Sequence, residues 1–301
     1  MSFYLGEHLI NNGDPLKVGD AQISKIMLGT EQVWVNNQAP SAITDFDASS
    51  SGANASVTVT FSSASGIPTP TYDLYENDVS VATGISSGYV YTSAVTGNNT
   101  YYVKAVNSAG SVNSNSDTAV VWTGGSSLTI TASGDYTAGV DFPANVTISV
   151  CMCGGGGGGG DVGDLNAAGL GGKAGIVVSN TITSIPYGEI VSANIGAGGS
   201  QYQSGGSSSF GSYFTAGGGA PITYRGRDDS KTTCGGTGYD GRDWEDWYHG
   251  VTWYGGESSG FGDGGDATGN NGQNGGVGSG GGSCDYGTAG SGGRGEIRLS
   301  W

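Results

Sequence analysis

Residues 146–160 read VTISVCMCGGGGGGG. Val146, Ile148, Val150 and Met152 alternate with Thr147, Ser149, Cys151 and Cys153, the period of a half-buried strand, and seven glycines follow without a break. Glycine loses more backbone entropy on folding than any other residue, so glycine runs alone read as disorder. The strand beside the run argues otherwise. The same juxtaposition recurs at the end of the chain. There GSGGRG (290–295) precedes Glu296 to Trp301, in which Ile297, Leu299 and Trp301 alternate with polar residues. Of the 61 glycines, 51 lie after residue 123, and they follow no collagen period. The reading is a β scaffold whose glycine segments are ordered and packed too closely for a Cβ. A rigid surface made from loops points to recognition rather than chemistry.

Further strands are expected at Leu128–Ile130, 175–178 and 189–195, with the first and last strands of the region pairing to close it. Upstream the character changes. Residues 39–123 carry short strands at regular intervals: 56–61, 71–77, 88–92, 99–110 and 117–122. Such spacing over a segment of this length predicts a β-sandwich. Residues 1–38 form a small unit with a hairpin in AQISKIMLGTEQVWVNN, turning at Gly29-Thr30. A piece this short buries little surface alone, so it docks on another chain or adds to the next domain. No segment has helical periodicity over a useful length. The expected fold is all-β, in three parts: 1–38, 39–123 and 124–301.

Charge narrows the partners. The chain has 26 acidic and 10 basic residues, a net charge of −16. That disfavours nucleic acid and anionic membranes. No apolar stretch is long enough to span a bilayer, and MSFYLGEHLINNGD lacks the features of a secretory signal. Residence in the cytoplasm, or exit inside a virus particle, is the expectation. Cys151 and Cys153 share a strand face, which makes a bond between them geometrically poor. With Cys234 and Cys284 they leave open buried thiols, one cross-loop bridge or, less economically, zinc.

The richest local chemistry is the insert 222–254, ITYRGRDDSKTTCGGTGYDGRDWEDWYHGVTWY. Tyr224, Arg225, Tyr239, Arg242, Trp244, Trp247, Tyr248, His249, Trp253 and Tyr254 are the candidate receptor-binding residues. Aromatic faces and arginines are concentrated where surfaces bind partners, and rings beside polar groups suit sugars. The alternative is a satellite core that pins a long loop. Asp263, Asp266, Asn270 and Asn274 could ligate calcium, but Asx turn chemistry accounts for them more simply. No metal and no cofactor is expected. Catalytic signatures are missing: His8 and His249 are the only histidines, and no nucleophile elbow, zinc-protease motif or phosphate loop occurs. Asp243 and Glu245 read as solvated charge.

Two resemblances follow. The run Tyr101-Tyr102-Val103-Lys104-Ala105-Val106-Asn107-Ser108-Ala109-Gly110 resembles the penultimate strand and turn of fibronectin type III domains, with Phe61 where that family often has Trp. The resemblance covers 39–123 and implies a spacer or adhesion module. The second rests on several elements in order: Cys153 with its seven glycines, Pro186-Tyr187-Gly188, Ile195 to Gly199, Gly206 to Gly211, Ala216 to Gly219, and Gly295-Glu296-Ile297. These resemble the glycine-rich domain of bacteriophage tail-fibre proteins, and Ile23 to Trp34 is similar to N-terminal pieces of phage tail and appendage proteins. By analogy, fibre-tip adhesins pack polyproline-II-like glycine runs. The resemblance implies a non-enzymatic external appendage of a virion, made in the cytoplasm of a bacterial host. Its N-terminal segment would join other virion proteins, and its glycine-rich tip would bind a host-surface glycan or protein. A homo-oligomer, a trimer for example, is implied. The alternative function is a structural virion protein, a capsid decoration or fibre connector.

Overall fold

The computed structural model describes residues 37–93, 95–160, 171–221, 261–265, 272–282 and 288–301, and elsewhere only the backbone of short strands. Among the described residues there is no helix; the chain is all-β and every strand pair is antiparallel. It divides into two compact units, Met1–Thr123 and Gly124–Trp301.

The first unit opens with three separate hairpins. These are β1 (Phe3–Leu5) with β2 (His8–Ile10), β3 (Lys17–Val18) with β4 (Ala21–Gln22), and β5 (Lys25–Leu28) with β6 (Glu31–Val35). A two-sheet sandwich follows. Strands β7 (Asp47–Ser50), β8 (Ser56–Thr60) and β11 (Tyr89–Thr92) form one sheet, with β8 in the middle. The other runs β10 (Val79–Thr83), β9 (Thr71–Glu76), β12 (Gly97–Asn107). Both β13 (Gly110–Asn113) and β14 (Asp117–Val121) pair with the free side of β12, on its two halves. The alternation in β12 puts Tyr101, Val103 and Ala105 in the core beside Val57, Val59 and Leu74. Phe61 is buried there, 4.9 Å from the Tyr72 ring.

The sequence suggests one strand over 71–77, whereas the structure turns at Asn77-Asp78. Their φ values of 50° and 65° form a tight two-residue hairpin turn, and β10 returns from it. Glu76 is buried at that turn and receives three hydroxyls: Tyr101 at 2.6 Å, Ser93 at 2.5 Å and Tyr91 at 3.2 Å. Burial, then the bond to Glu76, holds the Tyr101 phenol well above its ordinary value.

The second unit has two four-stranded sheets. In order, one holds β15 (Ser127–Ile130), β24 (Glu296–Ser300), β17 (Ile148–Cys153) and β18 (Val177–Ile182). The other holds β16 (Gly134–Thr137), β19 (Ile190–Asn194), β20 (Ser208–Phe210) and β21 (Phe214–Ala216). The remaining hairpin is β22 (Ala267–Thr268) with β23 (Asn271–Gly272). The first strand of the unit does pair with the last, Leu128 opposite Leu299. Ile148, Val150, Met152, Ile297 and Leu299 fill the buried face of one sheet, and Val191, Ala193 and Phe210 that of the other. Phe142 meets Phe210 edge-on at 6.1 Å. The strand whose alternation opens at Val146 starts at Ile148, two residues after Val146, following the left-handed Asn145 with φ 60°.

Six strands of these sheets continue as glycine runs. β17, β19 and β21 lead out into 154–160, 196–200 and 217–220; 172–176, 203–206 and 290–295 lead back into β18, β20 and β24. The central run pairs with period three. The amides of Gly154 and Gly157 donate to Ile176 and Lys173, those of Gly155 and Gly158 to Gly206 and Gln203, and those of Gly156 and Gly159 to Gly293 and Gly290, at 2.8–3.1 Å. Each partner pair descends by three residues, so these neighbours are antiparallel. A β-carbon on the six glycines would lie 1.8–2.2 Å from carbonyl oxygens of Gly217, Ala197, Ser279, Ala220, Ser200 and Gly282 in turn. Those positions ascend by threes, so these neighbours are parallel. The central run is therefore ringed by six others and fully buried. Three residues per turn is the geometry of polyproline II, which makes no bonds within its own helix and bonds instead to neighbours.

Candidate functional site

The bundle ends at a defined level. Gly159 donates to Gly290 at 2.9 Å and accepts from Tyr202 at 3.1 Å; Lys173 donates to Ala220 at 3.2 Å and Gly172 to Gly281 at 2.8 Å. Residues 160, 172, 200–203, 220–221, 282 and 290 thus gather at the end remote from the sheets. The runs that leave the sheets end there, and those that lead back to the sheets begin there.

The ten candidate receptor-binding residues, Tyr224 to Tyr254, all lie outside the described residues. What is described is where their segment attaches. The chain leaves the bundle end at Pro221, one residue after Ala220 seats against Lys173. It is described again at Phe261, over whose ring the Arg298 guanidinium sits at 4.2 Å. Arg298 is in β24, opposite Cys151, so this second anchor lies against the sheet. Its guanidinium also binds Glu296 at 2.8 Å. Of the flanking glycines, Gly217–Gly219 are built into the bundle, where Cβ atoms on Gly218 and Gly219 would strike backbone at 2.0 Å.

Cys151 is disulfide-bonded and Cys153 is a buried thiol, so the bond does not join these two. Cys234 and Cys284 lie outside the described residues. Among the described residues no three His, Cys, Asp or Glu side chains gather as for a metal. Of the four calcium candidates, Asp266 and Asn270 lie outside the described residues. Asp263 is exposed, and Asn274 accepts the Ser291 amide at 2.8 Å, pinning one run to another. Asp243 and Glu245 are outside the description. A groove of about 340 Å³ over the outer face of one sheet is lined by Ser127, Thr129, Ser149, Cys151, Ser179 and Arg298, with no imidazole or carboxylate in its lining.

At the bundle end the described surface belongs to the turn Ser200–Gln203, closed by Gln203 N to Ser200 O at 2.8 Å. Tyr202 there is half exposed and has φ 59°. Sequence reasoning passes over this turn, since it is short and carries one ring. A signal was present: Ala174 and Ala289 apart, side chains interrupt these glycine runs every third residue, at Ala197 and Ser200, at Lys173 and Ile176, and at Thr288, Ser291 and Arg294. In a three-residue helix those positions share one face.

No protein-family model matches this chain, and no curated protein matches it.

Proposed function

We infer that the chain is a non-enzymatic phage tail-fibre or appendage protein whose glycine-rich unit binds the host-cell surface. One observation carries this reading. The bundle is held chiefly by backbone bonds between runs packed too closely for a Cβ, and the described ends of those runs gather at one level. A scaffold of that kind costs much entropy and suits a rigid presentation of variable loops. The insert with Trp244, Trp247 and Trp253 departs from that end and serves as the main contact with a glycan or outer-surface protein. The sandwich acts as a spacer, supported by its strand order of β7-β8-β11 against β10-β9-β12. The three hairpins before it attach to other virion proteins, since a lone two-stranded hairpin is marginal in water and gains from a partner surface. The assembled appendage is a homo-oligomer.

Purified chain incubated with a panel of intact bacteria tests this. Saturable binding to some cells, weakened by Trp247→Ala and Trp253→Ala by about 1–3 kcal/mol each at unchanged melting temperature, is expected. Association with purified phage particles and with no cell would favour the connector reading instead.

A further inference from the structure

The tyrosine at the described part of the bundle end is conformationally out of place. Tyr202 has φ 59°, a region that a bulky L-residue enters at a cost and that glycine enters freely. Its neighbours include Gly198, Gly199, Gly205 and Gly206, and each of the first three of these would put a Cβ 1.8–2.1 Å from backbone. The other left-handed non-glycine residue described in this unit is Asn145, a residue type that tolerates the region; a bulky tyrosine there, at an exposed turn, is unusual. Such outliers gather at functional sites, where the surrounding structure holds them.

The turn is held on three sides. Tyr202 N donates to Gly159 O at 3.1 Å, Gly158 N to Gln203 O at 2.9 Å, and Gln203 N to Ser200 O at 2.8 Å. The backbone is thereby clamped to the central run, while the ring is 50% exposed. Around it stand Ser200, Gln203 and Ser204, all exposed, and Gln201, partly so. No charged residue lies in 196–206. Amides and hydroxyls both donate and accept, as sugar hydroxyls do, and a fixed ring offers a face to their C–H groups. An anionic ligand would find no cation in this turn, on a chain of net charge −16.

We propose that the Ser200–Ser204 turn is a saccharide subsite, with Tyr202 as the stacking platform and Gln201 and Gln203 as hydroxyl partners, selective for neutral sugars. It rests on the host-binding reading above and lies outside the tryptophan-rich insert. The side-chain amides orient the ligand, and the clamped backbone lowers the cost of ordering the turn on binding.

The test titrates the full chain against immobilised bacterial surface polysaccharides, neutral and anionic. Binding to intact bacteria and thermal melts are followed in parallel. Saturable binding to a neutral polysaccharide is expected. Tyr202→Phe should stay within about twofold of wild type, and Tyr202→Gly should bind about tenfold more weakly. The melting temperature of Tyr202→Gly should be equal or higher, because glycine accepts φ 59° without strain. Binding only to anionic polysaccharides, or to none, overturns the proposal. So does wild-type affinity in Tyr202→Gly, or a loss of affinity together with a lower melting temperature, which would make the ring a packing element. If the wild type adheres to cells and Tyr202→Gly adheres equally, the subsite falls and the host-binding reading stands. If the wild type adheres to no cell, both fall.

Discussion

Single glycines do different work in this chain, and the structure separates the kinds. At Gly157 the obstacle is space: a Cβ would sit 2.1 Å from the Ala220 oxygen and 2.7 Å from its carbon, both backbone. None of Gly154 to Gly159 has a positive φ, so conformational freedom is not why they are glycine. Gly125 has open space around it and no special φ. Gly157→Ala should therefore cost about 4 kcal/mol or more, and Gly125→Ala less than about 0.5 kcal/mol, in denaturant unfolding of the second unit. A second residue-scale case is the buried carboxylate. Tyr101→Phe removes one of the three hydroxyls on Glu76 and should destabilise the sandwich by about 1–3 kcal/mol. Because the Tyr101 pKa is raised on folding, its contribution is complete below the ordinary value of 10.0 and is lost as pH climbs above it. Stability should decline in that alkaline range, and the Phe variant should decline less steeply, as read by melts across pH.

At the scale of elements, sheet and bundle are one continuous structure. Facing sheets sit about 10 Å apart because side chains fill the gap. Where β17, β19 and β21 give way to glycine, that filling ends and backbones close to hydrogen-bonding distance. The two sheets of the second unit set the register that the bundle inherits. Phe210→Ala, which empties a fully buried site against Phe142, should cost about 3–5 kcal/mol and lower the bundle's melting with the sheets, in a single transition. Two separate transitions would show the bundle to be independent. Clean alternation made β8, β12, β17 and β24 legible in the sequence, and with them the closure of β15 on β24. The strand expected over 71–77 took in Asn77 and stopped short of β10, an edge strand with no buried residue to mark it. β20 and β21 were hidden in SSSF and FTA, where three residues cannot establish a period. That the glycine runs are ordered was legible from the strands beside them. Their six-fold arrangement was not, since glycines carry no pattern, and only the interrupting side chains at every third residue encode it. The insert stood out in the sequence through its rings and cations, and it lies outside the described residues apart from its attachments at Pro221 and Phe261.

At the scale of the whole molecule, the chain carries N-terminal hairpins, a β-sandwich and a second unit with a glycine bundle. Residues 123–127 are all exposed between the two units. Limited proteolysis should cut there first and release two fragments that each keep a cooperative melt. Deleting 1–38 should abolish incorporation into the particle and leave cell binding intact. Everything functional in this account depends on the glycine runs forming a rigid bundle rather than a flexible linker. Amide hydrogen exchange at Gly154 to Gly159 measures that directly. The six amides are buried and bonded in pairs to three neighbouring runs, so exchange should be as slow as in β12 and β17. Exchange at the rate of an unstructured glycine peptide would contradict the bundle and the recognition surface built on it.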